Sequence, residues 1–462
     1  MSPPKTIQDV TRLLSERFRE RMLRPGSQEY NDSAPVWNGM FDSHPALIVR
    51  CRDIEDVQFA IRAASGCGFS PAIRCGGHSL AGFSTCEDGL VIDLSGMRQI
   101  RVDAGARKAC FAGGCLLGTI DQETQRFGLA FPAGVVSHTG AGGLVLGGGT
   151  GWLSRLYGLS CDNVEAFTMV TADGSVVRAD SQHESDLFWA LRGGGGNFGI
   201  VTEFEVNLHP IRSVVFGKGL CAIAAVPDLL RHWREYMKSA PDQLRWSFSL
   251  RVAAETETTP AELRGKPVAS ASALWLGGKE EGLPFVKHAL TAEPHHAVTI
   301  EELSFLQLQT MADREFPHGR RYYTKSGYFL TLEDRVIEIL LASLQEIPSK
   351  LSEVELSYLG GVAARVGAGE TAFGDRGAPF ILNILSHWTD PAADLANMSW
   401  ARRLFADLRP WMRPGVYVNF MSGDETERVA EAYRERWGRL REIKTKYDPQ
   451  NFFRRNQNIP PL

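Results

Sequence analysis

The sequence lacks the features that mark exported, membrane-spanning and nucleic-acid-binding proteins. Residues 1–26 contain no apolar core of a signal peptide, and no apolar run approaches the roughly 18 residues that a membrane span needs. The formal net charge is only -4, so no overall positive field attracts a nucleic acid. These absences predict a cytoplasmic protein that works without a membrane or a nucleic acid as its partner.

Cysteine occurs in this sequence, but without the spacing of a metal or redox motif. The eight cysteines are at positions 51, 67, 75, 86, 110, 115, 161 and 221. None forms a CxxC pair, and no histidine cluster accompanies them at zinc spacing. No spacing suits an iron–sulfur cluster either. We therefore expect free thiols in a reducing compartment and no bound metal.

The two best-known nucleotide-binding motifs are also missing, although glycine is abundant. No GxxxxGK[ST] sequence is present, which excludes a P-loop NTPase, and no GxGxxG fingerprint stands at a strand–helix junction. Of the 46 glycines, 16 lie in three clusters at 74–82, 132–151 and 192–204. Glycine lets backbone N–H groups approach a pyrophosphate that a Cβ would obstruct. One such cluster is equally typical of tight turns, whereas three together predict a dinucleotide site.

Local patterns predict a mixed α+β protein with more than one domain. The 462 residues exceed what a single hydrophobic core usually serves. The first half alternates short apolar runs with turns, as in a strand at 46–50, a helix at 53–66 and a hairpin at 167–179. Beyond residue 213, longer helical stretches separate the candidate strands, which predicts a second sheet with helices on one side. These strands are 246–252, 270–277, 353–361 and 380–388.

Several long motifs resemble the berberine bridge enzyme branch of the FAD-linked oxidases, in the vanillyl-alcohol oxidase fold superfamily. They are RCGGHS at 74–79, FPAGVVSHTGAGGLVLGGGTGWLSRLYGLSCDNV at 131–164, DLFWALRGGGGNFGIVTEF at 186–204, VYVNF at 416–420 and YDPQNFFRRNQNIPP at 447–461. The resemblance implies a two-domain α+β fold of the vanillyl-alcohol oxidase type. Its parts are an FAD-binding domain at 1–212, an antiparallel-sheet substrate domain at 213–412, and a C-terminal segment at 413–462 that returns to the FAD domain.

The same resemblance implies that His78 carries the FAD through a covalent bond to the flavin's 8α-methyl carbon. This bond needs a neutral imidazole nitrogen as nucleophile, which histidine supplies near neutral pH. A lone histidine after two glycines is otherwise typical of a capping residue. Many relatives form a second bond through a cysteine in the stretch that matches 134–138. Val136 stands there and cannot form a thioether, so we predict a single attachment.

Further FAD contacts are implied by position within these motifs. His138 is predicted either to form structural hydrogen bonds or to contact the flavin, and Thr139 and Leu144 to border a pocket that admits O2. Ile200 and Val201 are also typical of strand core, and Asn458 of a surface tail. The predicted cofactor-binding residues are Arg74, Cys75, Gly76, Gly77, Ser79, Val136, Ser137, His138, Thr139, Gly142, Gly143, Leu144, Gly149, Gly151, Asn197, Gly199, Ile200, Val201 and Asn458, with Asp162 and Asn163 as further candidates.

Two groups are candidates for the base that removes a proton from the substrate. The resemblance assigns this role to Tyr417, and a spacing of two on a strand would place Tyr417 and Asn419 on one face. An unperturbed tyrosine has a pKa near ~10, so catalysis at neutral pH requires a downward shift of roughly 3 units. Glu355 is the rival. It belongs to the candidate strand 353–361, on a face that either meets solvent or roofs a substrate cavity. His387 is expected in the same cavity.

The resemblance implies an FAD-dependent oxidase or oxygenase that transfers a hydride from a small molecule to the flavin, with reoxidation by O2. Without a secretory signal or a second flavin bond, a small aromatic or polyketide-like natural product is the favoured substrate. A sugar or hydroxy-acid oxidase of the same fold is one alternative. A flavin-binding module without turnover is another.

Overall fold

The structure is a computed structural model that describes residues 6–462. Residues 1–5, with which the predicted FAD domain begins, lie outside the described part. The α-helices are α1 Ile7–Phe18, α2 Gln28–Ser33, α3 Ile54–Gly66, α4 Leu117–Gln125, α5 Ala141–Leu146, α6 Ser154–Tyr157, α7 Ser185–Leu191, α8 Val226–Tyr236, α9 Lys279–Thr291, α10 Phe305–Thr310, α11 Asp334–Ser343, α12 Gly361–Arg365, α13 Asp394–Leu408, α14 Val429–Tyr433 and α15 Trp437–Tyr447.

The strands form two small sheets and one large sheet, together with the pair β7–β11. They are β1 Met22–Leu23, β2 Leu47–Arg50, β3 Ala72–Arg74, β4 Leu90–Asp93, β5 Ile100–Asp103, β6 Lys108–Ala112, β7 Leu129–Ala130, β8 Val164–Val170, β9 Val176–Asp180, β10 Ile200–Asn207, β11 His209–Pro210, β12 Ser213–Ala222, β13 Leu244–Val252, β14 Pro267–Trp275, β15 His296–Ser304, β16 Arg321–Phe329, β17 Glu353–Tyr358 and β18 Phe380–Trp388.

The first half of the chain and its last segment share one hydrophobic core. The strand order is β1-β2-β4-β3 in the first small sheet and β5-β6-β10-β8-β9 in the second. In the first sheet β4 runs parallel to β2 and β3, whereas the second sheet is antiparallel. The core of these sheets extends from Val10 to Leu208 and includes Val416 to Ile459. The C-terminal segment therefore packs on the first half of the chain.

A seven-stranded antiparallel sheet organises the middle of the chain, in the order β15-β12-β14-β13-β17-β18-β16. Helices α8, α9, α11 and α13 contribute to a second core on one face of it, with members from Val215 to Met412. The predicted α+β class with a separate antiparallel sheet is confirmed. The domain limits at 212 and 413 stay a prediction, which the two cores support.

Alternation along β17 gives the large sheet a polar second face. Val354 and Leu356 belong to the helix-covered core, and Glu355 points the opposite way because neighbouring side chains of a strand alternate. On the adjacent strand β18, Asn383 is the partner of Glu355 in the ladder. The sheet therefore presents a carboxyl group and an amide side by side on the face opposite the second core.

The prediction that Tyr417 and Asn419 share a strand face is wrong. Residues Val418–Phe420 form a single turn of 3-10 helix, closed by a 2.9 Å hydrogen bond from the Phe420 amide to the Tyr417 carbonyl. The turn still brings the two side chains together, since Asn419 Nδ2 donates to Tyr417 Oη over 2.7 Å. A turn, and not a strand, thus brings these two side chains into contact.

Candidate active site

One cavity lies between the glycine loops and the polar face of the seven-stranded sheet. Glu355, Tyr417 and Asn419 line it. Most of the predicted cofactor-binding residues line it as well: Cys75, Gly76, Gly77, His78, Ser79, Val136, Thr139, Gly142, Gly143, Leu144, Asn197, Gly199, Ile200 and Val201. The three glycine clusters therefore meet at a single site.

The loop that carries His78 touches the second glycine cluster backbone to backbone. A Cβ on Gly76 would collide with the amide of Gly140, and a Cβ on Gly140 would collide with the amide of Gly76. Gly77 has a φ of 71°, in the left-handed region that favours glycine. Glycine is thus required at these positions to bring His78 into the cavity.

Several predicted residues lie outside the lining of this cavity. Arg74 is buried, and its guanidinium donates to the carbonyls of Ser33, Ser84 and Ala34. Asn458 lines a separate small pocket, whereas its neighbour Gln457 lines the main cavity. Neighbouring residues of both segments, Cys75 and Gln457, line the main cavity, but these two side chains face elsewhere.

The other predicted residues outside the lining support the loops that form it. Gly149 donates its amide to Tyr417 Oη, and a Cβ on Gly151 would collide with the carbonyl of Ala133. Asp162 accepts two hydrogen bonds from Arg376, and Asn163 donates to the carbonyls of Tyr157 and Leu159. Ser137 and His138 contact neighbouring side chains, as described below.

His78 has the protonation state that a nucleophile needs. Burial lowers its pKa well below the ordinary value, and the nearby His138 and His318 add to this effect. The imidazole is therefore neutral at physiological pH. The ring of Trp37 stacks on it with centroids 4.8 Å apart and an interplanar angle of 15°. This stacking fixes the plane of the His78 ring.

The two ring nitrogens of His78 have different neighbours. Nε2 lies 2.7 Å from His138 Nδ1, and Nδ1 lies 3.5 Å from the hydroxyl oxygen of Thr139. Thr139 lines the cavity and His138 does not. The Nδ1 side of His78 is therefore the side next to a residue of the cavity lining.

The cavity has features that a polar cofactor with phosphate groups would complete. A Cβ on Gly143 or on Gly196 would meet no heavy atom of residues 6–462 within 4 Å, so the backbone at both positions is open to the cavity. Tyr433 also lines the cavity, and its buried hydroxyl has no hydrogen-bond partner among those residues. Open glycine backbone suits a pyrophosphate, and a buried unpaired hydroxyl requires a polar partner. The residues present therefore fit FAD.

Tyr417 does not have the lowered pKa that a base at neutral pH requires. Its oxygen accepts hydrogen bonds from the Gly149 amide over 2.8 Å and from Asn419 Nδ2 over 2.7 Å. Burial raises the pKa of Tyr417 to about 12, although these two hydrogen bonds act in the opposite direction. Since both hydrogen bonds use its lone pairs, the hydroxyl keeps its proton available as a donor.

Glu355 lies in the lining of the cavity. Of the two environments predicted for it, solvent and the roof of a cavity, the structure shows the second. Its Oε2 accepts from Asn383 Nδ2 over 2.9 Å, and its Oε1 accepts from Ser357 Oγ over 2.9 Å and from Arg245 Nη2 over 3.4 Å. His387 also lines the cavity, and burial lowers its pKa to about 3. Hydrogen bonds from Asn383, Ser357 and Arg245 thus hold the Glu355 side chain in place in the cavity wall.

Three residues near His78 were not predicted from the sequence. Trp37 stacks on the imidazole, Asp313 accepts hydrogen bonds from the Ser137 amide and hydroxyl, and His318 lies at the solvent side of His138. Asp313 and His318 belong to the segment between α10 and β16. No motif marks any of the three, because only the folded chain brings them to the glycine loops.

The glycine loops surround the neutral His78, and the polar face of the large sheet lies opposite them. This arrangement is that of a flavin-dependent oxidoreductase. The family described as "FAD binding domain" matches residues 45–180, and "Berberine and berberine like" matches residues 416–460. A curated relative, the FAD-linked oxidoreductase DDB_G0289697 of Dictyostelium discoideum, is 33% identical and aligns with 96% of this chain and 94% of its own length. The chain belongs to the berberine bridge enzyme-like family of FAD-linked oxidoreductases.

Two further relatives agree with this assignment. The (R)-6-hydroxynicotine oxidase of Paenarthrobacter nicotinovorans is 30% identical over 95% of this chain and 96% of its own. The solved structure of a variant of BBE-like 1 from Physcomitrella patens superposes with a TM-score of 0.88 at 25% identity, covering 98% of this chain and 99% of that one. The predicted fold, the FAD cofactor and the oxidoreductase class are confirmed. Within residues 6–462, no helix combines the length and apolar character needed to span a membrane.

Proposed function

We propose that this protein is an FAD-dependent oxidase that holds its flavin by one covalent bond through His78. It oxidises a small aromatic or polyketide-like natural product and is reoxidised by O2. The observation that carries the proposal is that one cavity has His78 and the glycine loops in its lining together with Glu355 and Tyr417. Cofactor-binding and proton-handling groups therefore face the same space.

FAD bound in this cavity supplies a hydride acceptor for a C–H bond of the substrate. The chain contributes by holding the substrate carbon at reacting distance and by removing a proton. We assign proton removal to Glu355, since with a pKa of about 12 only about one Tyr417 in 10⁵ is a phenolate at pH 7. Tyr417 donates its hydroxyl proton to the substrate, and Asn419 holds Tyr417 in position.

The mixture of side chains in the lining of the cavity supports this substrate class. Phe316 and Leu385 offer apolar surface, and Glu355 and Asn383 offer polar groups beside it. This combination suits a flat, apolar molecule with a hydroxyl or carbonyl group at one edge. The relative named (R)-6-hydroxynicotine oxidase, which by its name acts on an aromatic compound, supports the same class.

Peroxide release from a panel of compounds tests the proposed substrate class. Purified protein is incubated in air with phenols, polyketide fragments, sugars and hydroxy acids, and peroxide formation is measured with each. We expect peroxide with phenolic or polyketide compounds. Peroxide with sugars or hydroxy acids alone would contradict the proposed class and favour the alternative oxidase of the same fold.

Mass analysis of proteolytic peptides should find one flavin-bearing peptide, and it should contain His78. Val136 lines the cavity where a second bond would form in many relatives, and it has no nucleophilic atom. Cys75 is the cysteine that lines the cavity, but burial raises its pKa to about 11. The thiol is therefore protonated and is a poor nucleophile. A second modified peptide, within 131–151 or at Cys75, would contradict single attachment.

Narrowing the cavity beside His78 should slow reoxidation by O2 without slowing reduction by substrate. We expect Leu144→Phe to lower the rate of reoxidation several-fold, because the larger ring fills space next to the flavin-binding loop. Thr139→Val tests the neighbouring position without a large change in volume. Stopped-flow absorbance separates the two half-reactions. Leu395→Phe, at a leucine that is 76% exposed, is the matched control, and equal reoxidation rates in both Phe variants would contradict the prediction.

A further inference from the structure

Three imidazoles lead from the cavity to the surface of the protein. His78 Nε2 lies 2.7 Å from His138 Nδ1, and the rings of His138 and His318 have centroids 4.9 Å apart. One nitrogen from each of the three lies within 4.8 Å of the others, and His318 is exposed. A proton that leaves His78 on its Nε2 side therefore has a short route to solvent.

His138 is the member of this group that is built to receive a proton. Burial lowers the pKa of His138, but the carboxylate and the backbone of Asp313 act to raise it. Asp313 is held in place because its two carboxylate oxygens accept from the Ser137 amide over 2.8 Å and the Ser137 hydroxyl over 2.6 Å. A proton on His138 thus has a fixed negative charge nearby.

His78 has no such support for a positive charge. The groups that shift its pKa are His138 and His318, and both act in the same direction as burial. A proton shared between His78 Nε2 and His138 Nδ1 is therefore better placed on His138 once His78 becomes more acidic. Nucleophilic attack by His78 Nδ1 has this effect, since the imidazole becomes positively charged as the new bond forms.

We propose that His138 accepts the Nε2 proton of His78 while His78 Nδ1 bonds to the flavin. This inference rests on the proposed covalent role of His78. The N–C bond forms at the 8α carbon, and one methyl C–H bond and the imidazole N–H bond break. The two electrons reduce the isoalloxazine ring, which retains one proton. The second proton leaves through His138 to solvent. O2 then takes the two electrons and the proton of the reduced ring, together with one proton from solvent, and becomes hydrogen peroxide.

The rate of covalent attachment tests this role directly. Full-length protein is prepared without flavin and mixed with FAD in air, and covalent flavin is followed by fluorescence of the acid-precipitated chain. In His138→Asn the amide oxygen can accept a hydrogen bond from His78 Nε2, but the amide cannot take up the proton itself. We expect attachment to slow by about 10²-fold, in the range of a lost general base. FAD binding before attachment, measured by fluorescence titration, should stay near the wild-type level.

A second variant protects the test against a folding defect. His138→Gly removes the ring, and added imidazole should restore part of the attachment rate. The restored rate should fall as the pH drops and imidazole becomes protonated. His183→Asn alters a histidine that is 71% exposed on its side chain, and it should attach flavin at the wild-type rate.

The possible outcomes separate this inference from the proposed function. Attachment by His138→Asn at the wild-type rate would overturn the proton-acceptor role and leave the His78 bond intact. A slow His138→Gly variant that binds FAD but gains nothing from imidazole would overturn it as well. Wild-type protein whose flavin is released entirely by acid would contradict the covalent bond itself.

Discussion

In the variant His78→Ala, all of the flavin is expected to leave the polypeptide on acid precipitation. The imidazole is neutral, lines the cavity and has its Nδ1 beside Thr139, which also lines the cavity. Alanine has no nucleophilic atom, so FAD is then held by noncovalent contacts alone. The flavin content of pellet and supernatant is measured by absorbance and fluorescence. In the wild type the flavin should remain with the pellet.

A matched control separates loss of the bond from loss of the fold. His183→Ala changes an exposed histidine of the β9–α7 connection, and it should retain covalent flavin like the wild type. The His78→Ala protein should still bind added FAD reversibly, because the glycine loops are unchanged. A yellow pellet from His78→Ala, or a colourless pellet from the wild type, would contradict the proposed linkage.

The second large effect is expected for Glu355→Gln, which should slow bleaching of the flavin by substrate about 10²- to 10⁴-fold, as for a lost general base. The amide keeps the size of the side chain but cannot accept a proton as a carboxylate does. Tyr417→Phe should have a smaller effect of about 10-fold, because it removes one oriented hydrogen bond to the substrate. Both rates are measured anaerobically, so that reoxidation does not interfere.

Glu353 provides the control for this experiment. It lies two residues away on the same face of β17, but it does not line the cavity. Glu353→Gln should therefore bleach at a rate close to that of the wild type. A strong effect of Tyr417→Phe together with a mild effect of Glu355→Gln would transfer the role of base to Tyr417. Covalent flavin should be unchanged in all three variants, since His78 is intact.

The part of the site that could be predicted from the sequence lies within continuous motifs. The loop with His78 and the second glycine cluster were located because glycine is required where two backbones touch, as at Gly76 and Gly140. Glu355 was placed on a polar face by strand alternation alone. The large sheet was predicted only in part, because β16 is buried along almost its whole length and shows no alternation of burial.

The rest depends on contacts between distant parts of the chain. Asp313 and Ser137 are far apart in sequence, and no local pattern indicates that a carboxylate reaches the flavin-binding loop. The pKa of Tyr417 could not be inferred either, because it depends on burial rather than on the YxN pattern. Sequence motifs thus identified the FAD cofactor, whereas the proposal of Glu355 as the base required the folded structure.

The central claim is that this protein is an oxidase with a flavin that both substrate and O2 can reach. Two sequential measurements in one stopped-flow experiment test it most directly. Protein is mixed anaerobically with the compound that gives the most peroxide, and the bleached protein is then mixed with aerated buffer. We predict rapid bleaching, followed by recovery of the yellow colour within seconds and release of peroxide. Protein that stays colourless for minutes in air, yet recovers quickly with a quinone dye, would be a dehydrogenase and would contradict the claim.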